Sequence, residues 1–121
     1  MEKVSNEVKL ESIKSFQSTI GKLKNALSQM TQKGANTTLV KKRLKACKIG
    51  LDILEYVWNQ KQHNYTQTEL ADARSILTGL YPSIERVYGK LKTGSSPQRT
   101  LLDRRIKALG LAIQAIDDIT D

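Results

Sequence analysis

Apolar side chains recur every three or four residues through four separate stretches, and that spacing commits the chain to helices. In the first stretch Ile13, Ile20 and Leu27 alternate with Phe16, Leu23 and Met30. In the second, Val40, Leu44, Cys47, Leu51, Leu54 and Trp58 follow the same rhythm. The third carries Leu70, Ala73, Leu77, Leu80, Ile84, Val87 and Leu91, and the fourth Leu102, Ile106, Leu109, Ile113 and Ile116. Such a stripe lies along one face of a helix and must be buried against a neighbour. No stretch alternates with the period of two that a strand requires.

The breaks between stripes carry turn chemistry. Gly34 can close a helix, with capping residues Asn36 and Thr37 behind it. Thr66-Gln67-Thr68-Glu69 has the form of a capping box. Gly94-Ser95-Ser96-Pro97 reads as a helix stop followed by a serine cap and a proline in the first turn. Gly79 and Pro82 fall inside the third stripe. Its phase continues from Leu77 through Ile84, which favours a kinked helix, with a break near Gly79 as the alternative. The fold expected is all-α: one antiparallel up-down-up-down four-helix bundle spanning residues 1–121.

Two of the helices resemble each other. A shift of 62 residues lays TLVKKRLKAC (residues 38–47) on TLLDRRIKAL (residues 100–109). Thr38, Leu39, Arg43, Lys45 and Ala46 meet identical residues, and the apolar stripes coincide in phase. Ala46 and Gly50 meet Ala108 and Ala112, small residues suited to close helix approach. The chain therefore reads as a tandem helical hairpin, with copies over about residues 5–60 and 66–119.

The formal net charge is +8 and the cations are concentrated. Thirteen of the 20 basic residues lie within 33–48 and 86–107, where Asp103 is the single acid. In an up-down-up-down bundle the first and third connections share one end, so these cations would form a basic cap with the acids gathered opposite. Lys41, Lys42 and Lys45 stand in the opening turns of the second helix, and Arg99, Arg104 and Arg105 in those of the fourth. Cations at a helix start oppose the helix dipole, as they would at a site built to attract an anion. These six residues are the candidate binding site.

Other chemistry finds little footing. Cys47 is the single cysteine and lies on a core stripe, so no internal disulfide or multi-cysteine metal site can form. His63, the single histidine, sits in the polar run QKQHNY and is expected to be solvated. No carboxylates recur at di-metal spacing, and no phosphate-cradling loop follows a strand. No catalytic residue, metal or cofactor is expected. No stretch has the ~20 apolar residues of a membrane span. The charged start lacks a signal-peptide core, which gives a soluble, cytoplasmic expectation.

The sequence thus points to a non-enzymatic binding protein whose partner is an anionic macromolecule, either nucleic-acid phosphate or an acidic protein surface. No motif identifies a family; in size and architecture alone the chain is similar to the bacteriocin immunity proteins, which include small basic four-helix bundles. That analogy gives the rival reading, a protein–protein interaction module of immunity or regulatory type.

Overall fold

The computed structural model describes residues 3–91 and 97–120, and every regular element among them is a helix. In chain order these are α1 (Asn6–Gln32), α2 (Thr38–Asn59), α3 (Gln67–Thr78), α4 (Tyr81–Lys90) and α5 (Pro97–Thr120). The expected cap at Gly94-Ser95-Ser96 lies outside the described residues. No helix among those described is long and apolar enough to cross a membrane.

Local chemistry accounts for most boundaries. The Ser5 side chain accepts the Val8 amide and starts α1. Gly34 ends it at φ 71°, with the Ala35 amide donating to the Met30 carbonyl and the Gly34 amide to Thr31. That is the Schellman arrangement, whose left-handed residue is cheapest as glycine. The Thr66 box forms as expected: the Thr66 hydroxyl accepts from the Glu69 amide, and the Glu69 carboxylate accepts from the Thr66 amide, each at 3.1 Å.

The third stripe is two helices, not one kinked helix. Pro82 has no amide to give the Thr78 carbonyl, and its ring crowds the turn before it. The Leu80 amide instead reaches back three residues to Leu77, which closes α3. Gly79 and Leu80 keep right-handed helical angles, so the stripe stays in phase across the break although the helix does not.

The direction of α3 departs from the expected up-down-up-down order. Trp58 near the end of α2 meets Lys9 near the start of α1, and Gly50 approaches Phe16, so α1 and α2 run in opposite directions. After α2 the chain doubles back along it. His63 packs on Tyr56, Tyr65 donates to Asp52, and Glu69 reaches Lys45. From there α3 advances with α2 and brings Leu77 to Gly50. Arg74 pairs with Asp117 and Tyr81 touches Gly110, so α3 and α4 run against α5. Arg105, Ala108 and Leu109 gather with Ser15, Phe16 and Thr19, and Arg104 with Glu11, so α5 runs with α1. The physical cause is the connection: residues 60–66 hold no helical turn, and an extended strand of that length can span ~20 Å.

The core is centred on α2 and α5. Ala46, Cys47, Ile49, Gly50, Ile53 and Leu54 are buried in α2. Shifted by 62, they fall on Ala108, Leu109, Leu111, Ala112, Ala115 and Ile116, which are the buried residues of α5. The buried arc is wider than a single stripe because each of these helices is flanked on several sides. Phe16 and Ile20 of α1, Leu70 and Leu77 of α3 and Ile84 of α4 complete it.

Candidate anion-binding faces

The opening of α2 is uncompensated. No acid occupies its first turn, and the Thr37 side chain makes no capping bond. The Asn36 carboxamide oxygen accepts from the Thr38 amide instead, at 2.9 Å. Lys41 and Lys42 are exposed there. Lys45, one turn on, lies 3.4 Å from Glu69 with its side chain still 64% exposed. Glu69 has two tasks: the Thr66 backbone amide holds its carboxyl below the usual range, and Lys45 adds to that. An exposed pair of this kind contributes little to stability.

The opening of α5 is furnished differently. Arg99 is half-buried; its Nε donates to the Tyr88 hydroxyl at 2.9 Å, and its guanidinium lies 4.5 Å from the centre of the Tyr88 ring. The Arg104 Nε lies 2.9 Å from a Glu11 carboxylate oxygen. Arg105 reaches between α1 and α5 towards Cys47, with its Nε buried and lacking a hydrogen-bond partner.

These six cations do not form one cap. The register of Trp58 on Lys9 and Gly50 on Phe16 sets Lys41 level with the last third of α1. Arg104 meets Glu11, about 15 residues nearer the start of α1, or ~20 Å at the helical rise. The structure therefore sets Lys41, Lys42 and Lys45 towards one end, and towards the other Arg104 and Arg105 on the α1/α5 side and Arg99 against Tyr88 of α4. The expected single cap is corrected: α3 runs with α2, so the start of α5 lies away from the Gly34 turn. Nor are the acids segregated, since Glu11 and Glu69 each stand beside a predicted binding cation.

The two faces nonetheless correspond. A groove of about 500 Å³ lies between α1 and α5, and Lys14, Lys22, Arg104 and Arg105 are among its walls. A second, of about 400 Å³, lies between α2 and α3 and is lined in part by Lys42, Lys45, Glu69 and Asp72. Shifting α2 by 62 and α1 by 61 residues places Lys42 on Arg104 and Glu11 on Asp72. The cation and the acid that pair in the first groove thus have counterparts on the walls of the second. The grooves differ in one respect that the apolar stripes did not reveal: Leu10 and Leu101, which stand outside every stripe, line the first groove at 59% and 56% exposure.

The remaining reactive groups are engaged in the fold. Burial pushes the Cys47 thiol up to about 11, against the opposing pull of the Arg105 and Arg43 charges. His63 is half-buried rather than solvated: its Nδ1 accepts the Tyr65 amide, and its ring lies edge-on to Tyr56 and stacked on Tyr65. The Tyr65 hydroxyl, partly desolvated and donating to Asp52, is held above its ordinary range. Among the described residues no group of His, Cys, Asp and Glu is arranged to hold a metal ion. Compared with protein families, curated proteins and solved structures, the chain matches none.

Proposed function

We propose that this chain is a non-catalytic binding protein, built by duplication of a helical hairpin, that engages an anionic macromolecule through two basic faces. One face is Lys41, Lys42 and Lys45 at the start of α2, and the other Arg99, Arg104 and Arg105 at the start of α5. The observation that carries this reading is that Lys42 and Arg104 occupy corresponding positions near the starts of the two core helices, with Lys41 and Arg99 in the first turns, where the helix dipole opposes them and no first-turn acid compensates. Positive charge kept where it weakens the fold is best explained by a ligand that relieves it.

Contacts of this kind are salt-dependent. Binding to a mixed-sequence DNA duplex is expected to weaken steeply as salt rises, with little sequence preference. Reversing Lys41, Lys42 and Lys45 to glutamate should weaken it, reversing Arg99 and Arg104 should weaken it too, and the combination should abolish it. A combined variant that keeps its helical circular dichroism and binds as before contradicts the proposal.

A second reading, a protein–protein module of immunity or regulatory type, is favoured by the exposed Leu10 and Leu101 in the α1/α5 groove. Its binding should respond weakly to salt.

A further inference from the structure

We propose that the α1/α5 groove docks one acidic amphipathic helix of a partner protein, with apolar side chains on Leu10 and Leu101 and carboxylates on Lys14, Lys22 and Arg105. This rests on the reading of the protein as a binder of anionic partners and names the kind of partner for one of its faces. A cleft between two helices is the usual seat for a third, which anchors through residues spaced three and four apart. Three observations select an acidic one.

First, Leu10 and Leu101 are the most exposed large apolar side chains of α1 and α5, and both line this groove. A phosphate backbone offers them nothing, whereas the apolar stripe of a helix covers both. Second, Lys14, Lys22, Arg104 and Arg105 outnumber Glu7 and Glu11 along the walls, and Glu11 is already taken up by Arg104. The field left over is positive, which complements carboxylates flanking a stripe. Third, Arg105 stands on the wall as a further cation that no acid among the described residues pairs with, its Nε buried between the helices. The α2/α3 groove differs: its apolar walls are Ile49 and Ile76 rather than exposed leucines, the counterpart of Leu10 is Ala71, and Glu69 and Asp72 line the cleft.

The test is display selection from a randomised library of helical peptides of about 18 residues on the full chain. L10E/L101E and K14E/K22E variants serve as counter-targets. All four positions face solvent except for their contact with the groove, so the variants should melt as the parent does. The expected result is enrichment of peptides with apolar residues at helical spacing flanked by Asp and Glu. Both variants should bind them at least about tenfold more weakly. Failure to enrich any peptide over the counter-targets, or enrichment of neutral or basic ones, overturns the inference. A DNA duplex of about 20 base pairs is the parallel probe. If the duplex binds the parent and L10E/L101E equally and no peptide is enriched, the helix-docking inference fails while the anionic-partner reading stands. If neither duplex nor acidic peptide binds, both fail.

Discussion

Adding one methyl group at Gly50 would put it 3.1 Å from the Phe16 ring and 3.2 Å from Leu77, while one added at Gly21 would meet nothing within 4 Å. These glycines are the same residue in the same kind of element, yet their substitutions should have opposite signs. Gly50→Ala overpacks the junction of α1, α2 and α3 and should cost about 1–3 kcal/mol. Gly21→Ala removes unfolded-state freedom and should stabilise by about 0.5–1 kcal/mol. Urea denaturation of the two variants checks both. Cys47 gives a pH prediction. Its folded pKa is raised from 9.0 to about 11 because burial disfavours the thiolate. The buried neutral thiol therefore contributes stability that is fully present below about 9 and is lost as pH rises through 11. Between those values the melting temperature of the native chain should fall more steeply than that of Cys47→Ala. At this scale the sequence was informative about Cys47, whose stripe position predicts its burial. It was silent about Gly50, because what a glycine touches is decided by other helices.

Among the elements, α3 depends most on its cap. It has only 12 residues and begins where an extended segment ends, so its first turn is fixed by the Thr66–Glu69 box together with the burial of Leu70. Thr66→Ala should cost about 1 kcal/mol. Glu69 adds a pH term of the opposite sense to Cys47. Its pKa is lowered from 4.5, chiefly by the Thr66 amide, so its contribution is present above that value and lost as pH falls through the folded pKa. Glu69→Gln keeps the box but cannot titrate. Below pH 4.5 the native chain should therefore lose stability relative to Glu69→Gln in acid melts followed by circular dichroism. The helical stripes of α1, α2 and α5, the Gly34 stop and the Thr66 start were legible, since each follows from spacing or chemistry within a few residues. The break at Gly79 was not, because the apolar phase runs through it unaltered and the competing effect, the missing Pro82 amide, leaves no mark on the stripe. The direction of α3 was hidden for a related reason. A short polar connection reads as a tight turn whether it turns or, as here, runs extended back along α2.

At the scale of the molecule, one reversed helix reorganises the surface. The same six cations form a cap if α3 opposes α2, and two separate faces if it runs alongside. Their identities were readable from charge position; their grouping was a consequence of topology. So were the companions Glu11 and Glu69, which sequence reasoning assigned to a distant acidic end. The correspondence of buried residues between α2 and α5 survives this change, because a shift of 62 relates the two helices however they are directed.

Spin labels at Lys41 and Gln98, in a Cys47→Ala background, read that grouping directly by double electron–electron resonance. Both positions are exposed, and each opens one of the two core helices. The arrangement described here predicts a distance of roughly 25 Å or more, given the helical rise that separates their levels along α1. A single distance below about 15 Å, little more than one helix diameter, would return the two sets of cations to one cap and contradict the account.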